Sequence, residues 1–245
     1  MAARLGTMLP PPKALIFDVF GTLVDWRSSI AESAAQRFKA AGVSADTEAF
    51  ADAWRGEYQP AMERIRSGNR GYIPLDDLHR ENLELVLTRL NLADAFQDLT
   101  DWARDWENLD PWPDVVAGLT AAKSHALIAP CSNGSIALMS HMARRNHFPW
   151  DAILGADVAQ NYKPHPSVYH AAVTAFRLTP GEVMMVAAHE DDLAAAEIAG
   201  LQTGFIPRPK EFGPDNPPKV SDGSKWTATA PDLPSLVEIV FAGRT

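Results

Sequence analysis

The residue best placed to do chemistry in this sequence is Asp18. It closes the apolar run Ala14-Leu15-Ile16-Phe17 and is followed three residues on by the Gly21-Thr22 pair. A run of this kind, bounded by Pro12 and Gly21, reads as a strand buried on both faces. A single carboxylate at the C-terminal end of a parallel strand is placed to act as a nucleophile. Two residues beyond it stands Phe20, which can neither donate nor accept a proton, so no acid at that spacing assists a leaving group. Thr22 reads either as a donor that orients Asp18 or as an ordinary turn residue.

A nucleophile at a strand end needs partners delivered by neighbouring strands, and the chain alternates accordingly. Helices are expected at Ser28–Ala41, Thr47–Arg66, Pro74–Leu90 and Asp94–Asn108, the second kinked at Pro60. Four helices with no strand between them imply an inserted helical subdomain over residues 27–107. After Pro111-Trp112-Pro113, helices at Asp114–Ser124, Ser135–Asn146, Pro166–Phe176 and Asp191–Ala199 precede strands at Ala126–Cys131, Ala152–Gly155, Glu182–Ala187 and Thr203–Ile206. This alternation predicts an α/β fold with a doubly wound parallel sheet and right-handed crossovers, assembled from residues 13–26 and 108–245. Pro207–Pro234, rich in Pro, Gly, Asp and Ser, is expected to be a long irregular loop before a short helix at Ser235–Phe241. Loops that follow strands in such a sheet share one edge. That edge gathers Asp18, Ser132-Asn133, Lys163 and the segment Ala188–Asp192.

Composition narrows the partners. The formal net charge of −9 argues against nucleic acid or an anionic membrane surface. Any small anionic substrate must therefore be held by locally placed cations. Seven Trp and ten Phe supply apolar area for a core and a closed pocket. One Cys, Cys131, excludes an internal disulfide framework and fits a reducing cytoplasm. No apolar run approaches the roughly 18 residues of a membrane span. Met1–Pro12, with Arg4 and three consecutive prolines, reads as a short disordered lead-in rather than a signal peptide.

The ordered motifs Phe17-Asp18-Val19-Phe20-Gly21-Thr22, Cys131-Ser132-Asn133-Gly134, Tyr162-Lys163-Pro164 with Tyr169, and a late Asp192 resemble the haloacid dehalogenase superfamily. Within it they are similar to the type II (S)-2-haloacid dehalogenases, from Lys13 to about Phe241. Trp54-Arg55 looks like that family's halide-contacting arginine. The resemblance implies a Rossmann-like core with an inserted helical cap, no cofactor and no metal. Most members of the superfamily are magnesium-dependent phosphohydrolases with a second Asp two residues after the nucleophile and a later Gly-Asp metal ligand. Here those positions read Phe20 and Ala187-Ala188, which removes the acid and a ligand for a hard cation.

The same resemblance assigns the parts. Asp18 would attack the halogen-bearing carbon and form an ester, with Thr22 as its orienting donor. Ser132 and the backbone N–H groups of Val19 and Phe20 would bind the substrate carboxylate, aided by the charge of Lys163. Ser132 as a plain helix N-cap is the competing reading. Arg55 and Asn133 would cradle the departing halide, while Trp54 and Tyr169 would line the pocket. Asp192 would orient Lys163 or position the hydrolytic water. Ala187-Ala188-His189-Glu190 departs from the family's usual Ser- and Asn-bearing segment, which makes His189 a candidate base for that water. The implied activity is hydrolysis of short (S)-2-haloacids, with a homodimer as the implied assembly. A small-molecule phosphatase of the same superfamily and a non-catalytic binding relative are the alternatives.

Overall fold

A computed structural model describes residues 10–219, 221 and 223–242; residues 1–9 of the expected lead-in lie outside these. The chain opens with β1 (Ala14–Phe17), β2 (Val24–Asp25), α1 (Trp26–Ala41), α2 (Thr47–Gly56), α3 (Tyr58–Arg66), α4 (Leu75–Arg89) and α5 (Thr100–Ala103). It continues through β3 (Asp110–Pro111), α6 (Val115–Lys123), β4 (Leu127–Ser132), α7 (Ile136–Asn146), β5 (Leu154–Gly155) and α8 (Ala156–Ala159). It closes with α9 (Pro166–Ala175), β6 (Val183–Ala187), α10 (Glu190–Ile198), β7 (Gln202–Phe205), β8 (Ala228–Thr229) and α11 (Leu233–Phe241).

Six strands form one parallel sheet in the order β5-β4-β1-β6-β7-β8. This is the doubly wound α/β sheet that the alternation of strands and helices predicts. The all-apolar β1 lies at its centre with every residue at 0% exposure, as a strand covered on both faces requires. Asp18 follows directly, its backbone N–H still donating to the Val186 carbonyl, so the carboxylate sits at the C-terminal edge of the two central strands. The short β2 and β3 pair antiparallel and join the helical stretch from Trp26 to Glu107 to the sheet. No described helix is long and apolar enough to cross a membrane.

Several local expectations change. The break in the second predicted helix falls at Glu57, not at Pro60. Pro60 occupies the first turn of α3, where its missing N–H costs nothing. The expected helix over Asp94–Asn108 divides into a 3-10 turn at Ala93–Ala95, α5, and a second 3-10 turn at Arg104–Glu107. There Asp98 accepts from the Thr100 N–H and starts a new turn, while Trp102 and Trp106 are drawn into the core at 1% and 0% exposure. The predicted loop over 207–234 contains β8, which extends the sheet beside β7.

Candidate active site

Asp18 is 6% exposed, and donors surround its carboxylate. Thr22 Oγ1 donates to Oδ2 at 2.6 Å, and its own oxygen accepts from the Ala188 N–H at 2.9 Å. The hydroxyl thus orients the carboxylate while the turn itself holds the hydroxyl. His189 Nδ1 lies 3.0 Å from the same Oδ2. Lys163 Nζ donates to Oδ1 at 2.8 Å and to Asp192 Oδ2 at 2.5 Å. Asp192 stands in the first turn of α10, where the helix dipole favours a carboxylate, and its Oδ1 accepts from the Tyr169 hydroxyl at 2.6 Å. Each oxygen of Asp192 is therefore committed, and Lys163 is fixed between two carboxylates.

These contacts decide the charge states. Burial disfavours ionisation of Asp18, yet the Lys163 ammonium and the His189 donor hold its carboxyl well below the usual carboxylate range. Burial likewise opposes the Lys163 charge, and Asp18 with Asp192 outweighs it, holding the ammonium well above the usual lysine range. Asp192 is lifted by burial and by the nearby Asp18 charge. Burial lifts the Tyr169 phenol, reinforced by Asp192, so it stays a donor.

His189 bridges Asp18 to a residue that sequence spacing does not reach. Its Nε2 lies 3.0 and 2.9 Å from the two oxygens of Glu211, which is 1% exposed and also accepts from Trp26 Nε1 at 3.2 Å. Burial opposes a charge on His189, but hydrogen bonds to Asp18 and Glu211 raise it to about 10, so the resting imidazole is protonated at neutral pH. The Glu211 carboxylate can approach only because position 21 is glycine at φ +84°; a Cβ there would meet Glu211 Oε1 at 2.0 Å. No local pattern marks Glu211 within the Pro- and Gly-rich segment, and the glycine at position 21 is its sole sequence trace. The elevated His189 pKa gives a stability prediction. A group whose folded pKa is raised contributes fully below its unfolded value of 6.5 and loses that contribution as pH rises through about 10. The thermal midpoint of the parent protein should therefore fall across this window, and His189→Gln should flatten that fall in scanning calorimetry.

A cavity of about 520 Å³ opens over Asp18 and is lined by Phe20, Arg55, Tyr58, Asn133, Lys163, Tyr169, His189 and Glu211 among others. Arg55 enters it from α2. Its guanidinium stacks on Tyr58 with 3.9 Å to the ring centroid and lies 5.5 and 5.8 Å from those of Trp26 and Phe20. Its Nη1 is buried with no hydrogen-bond partner among the described residues. Asn133 accepts from the Lys163 N–H through Oδ1 at 2.8 Å, which leaves its amide nitrogen as the group available to a ligand.

Three expected site residues sit elsewhere. Trp54 is not a pocket residue: it is 1% exposed behind the cavity, donating to the His79 carbonyl at 3.0 Å and packed edge-on against Trp106. Its helical spacing from Phe50 places it in the aromatic core. Ser132 and Val19 are also absent from the cavity wall. Ser132 Oγ accepts from the Gly134 N–H at 3.0 Å inside its own turn, and the N-cap of α7 is Ser135 instead.

A divalent cation does not fit here. The position between Asp18 and Asp192 where one would coordinate is spanned by the Lys163 ammonium, and Phe20 and Ala188 supply no oxygen side chain.

Comparison with known proteins finds relatives for the chain as a whole. Residues 12–200 match the haloacid dehalogenase-like hydrolase family. The chain is 43% identical to the defluorinating L-2-haloacid dehalogenase Rha0230, whose crystal structure superposes with a TM-score of 0.91 over 94% of this chain and 96% of that one. It is 28% identical over 205 residues to an (S)-2-haloacid dehalogenase of Xanthobacter autotrophicus, covering 80% of this chain and 75% of that protein. A phosphoglycolate phosphatase of Photorhabdus laumondii is 28% identical over 201 residues, 77% of each chain.

Proposed function

The chain belongs to the haloacid dehalogenase-like hydrolase family, and from that premise we propose that it is a metal-independent hydrolase converting short (S)-2-haloacids into (R)-2-hydroxyacids and halide. The observation that carries this reading is the Lys163 ammonium set between Asp18 and Asp192, beside an apolar Phe20. It supplies a fixed positive charge for an anionic substrate and leaves no acid where a phosphatase of this superfamily needs one.

In the first step a carboxylate oxygen of Asp18 attacks the substrate α-carbon from the side opposite the halogen. The carbon–halogen electron pair leaves with the halide and the centre inverts. Oδ1 is the freer nucleophile, since Lys163 is its one donor while Oδ2 accepts from both Thr22 and His189. Lys163 and the backbone N–H of Phe20 receive the substrate carboxylate, and the Asn133 amide nitrogen turns to the leaving halide. Arg55, held on its aromatic stack with a buried donor to spare, receives the halide as its charge develops.

Ester formation erases the Asp18 charge, and His189 loses one of its two anionic partners. Its pKa then falls, the proton is released, and the neutral imidazole, oriented by Glu211, takes a proton from the water that attacks the Asp18 carboxyl carbon. Cleavage of the ester passes the proton on His189 to the departing alkoxide and leaves Asp18 as the free acid, whose remaining proton returns to His189 and restores the resting carboxylate and imidazolium. The division of labour that accompanies this reading is a core of residues 13–26 and 108–245 carrying the nucleophile and a cap of residues 27–107 carrying Arg55. The net charge of −9 and the lone, buried Cys131 support a cytoplasmic enzyme, and the family resemblance supports a homodimer.

Similarity to a phosphatase makes phosphate-ester hydrolysis the second reading. Halide release from 2-chloropropionate should proceed undiminished in EDTA, while a panel of phosphate esters with Mg²⁺ should give no turnover. Rapid phosphate release with no halide release would overturn the proposal.

A further inference from the structure

Arg208 lies in the segment after β7, 8% exposed and outside the set that surrounds the cavity. Its Nε donates to the Thr22 carbonyl at 2.8 Å. Its Nη1 and Nη2 form a two-point pair with Asp114 at 2.7 and 2.9 Å. Its guanidinium lies over the Trp112 ring, 5.8 Å from the centroid, and Trp112 Nε1 donates to the Gly21 carbonyl at 2.9 Å. Two consecutive carbonyls of the turn that follows Asp18 are thus held from outside by a cation and an indole that face each other. Three residues on from Arg208, the Glu211 N–H donates to the Arg208 carbonyl at 3.1 Å, which closes the turn that presents Glu211 to His189. A buried guanidinium is costly unless paired, and its planar fork is what allows one side chain to serve a carboxylate and a carbonyl together.

We propose that Arg208 is the positioning residue that keeps both half-reactions in register, setting Asp18 through the Thr22 turn and His189 through the turn to Glu211. The claim rests on the dehalogenase reading for its kinetic consequences but not for its structural one. An arginine that merely stapled the fold would shift stability alone; the guanidinium of this one holds the Thr22 carbonyl and Asp114, and so anchors beside the nucleophile's turn the segment whose main chain carries Glu211.

The test compares Arg208→Met, Arg208→Lys and Asp114→Asn with the parent in single-turnover reactions on (S)-2-chloropropionate. Halide release reports alkylation of Asp18, and decay of the ester, followed by intact mass, reports hydrolysis. Arg208→Met should slow both steps by about 100-fold, the scale of loss from a small misplacement of reacting groups, with KM changed by less than about threefold. Arg208→Lys should recover part of that loss, and Asp114→Asn, which leaves the cation in place, should cost about tenfold. The His189 imidazole, followed by NMR titration, should fall from about 10 by at least about one pH unit in Arg208→Met, because the segment carrying Glu211 is no longer anchored to the Thr22 carbonyl and Asp114. Folded Arg208→Met with both rates within about twofold of the parent, or with the His189 titration unmoved, overturns the proposal. Should Arg208→Met not fold, parent-like rates in both Arg208→Lys and Asp114→Asn overturn it equally. If the parent releases no halide from any 2-haloacid, the dehalogenase reading fails, while the His189 titration in the variants still decides the role of Arg208.

Discussion

Asp18→Asn is expected to lower halide release by at least about 10⁴-fold, the scale on which removal of a covalent nucleophile acts. The amide keeps the size of the carboxylate and can still accept from Thr22, so the turn after β1 is preserved. What it loses is the electron pair that forms the ester. Because the negative charge facing the substrate carboxylate also disappears, affinity for the haloacid should hold or tighten, and the whole loss should appear in kcat. Ion chromatography of halide together with calorimetric titration of a haloacid separates the two. Turnover above about one per cent of the parent rate would require a mechanism without an aspartyl ester.

His189→Gln should behave differently, because it blocks the second step and spares the first. Alkylation needs only an ionised Asp18, which Lys163 continues to secure. Hydrolysis needs a base beside the ester, and its removal should slow that step by about 10²- to 10⁴-fold. The variant should therefore release about one halide per active site in a burst and then stall. Its intact mass should rise by the substrate less its halogen. Glu211→Gln should stall less completely, since the imidazole remains but loses its partner at 2.9 Å. In the parent, lowering the pH should lengthen the life of the ester while leaving the burst unchanged, because the imidazole must be neutral only after Asp18 has reacted. Steady turnover by His189→Gln at the parent rate would show that another group activates the water.

The sequence discloses the sheet and the nucleophile for one physical reason: both are local. Ala14 to Phe17 must be covered on both faces because every residue is apolar, and Asp18 follows where the apolar run stops. The resemblance drawn from the motifs around Asp18, Ser132, Lys163 and Asp192 holds in the family match over residues 12–200. Residues whose placement depends on distant packing were illegible. Glu211 and Arg208 come from a segment with no periodicity, and what defines them is the turn at Gly21-Thr22, nearly 190 residues earlier in the chain, with separations of 186 for Arg208 and Thr22 and 185 for Glu211 and Trp26. Trp54 failed in the opposite sense: it adjoins Arg55 in sequence, yet on a helix consecutive side chains diverge by about 100°, so one faces the cavity and the other the aromatic core.

The β2–β3 ribbon brings the outgoing and returning strands side by side, Val24 opposite Pro111 and Asp25 opposite Asp110. Ser29 ties them further, donating to the Asp25 carbonyl and accepting from the Asp110 N–H. An insert that leaves and re-enters at one point can be exchanged as a cassette without disturbing the order of the sheet strands. Arg55 would travel with that cassette while Asp18, Lys163 and His189 stay behind. Recombination at this seam could thus alter which leaving group is accepted while the ester chemistry is inherited unchanged.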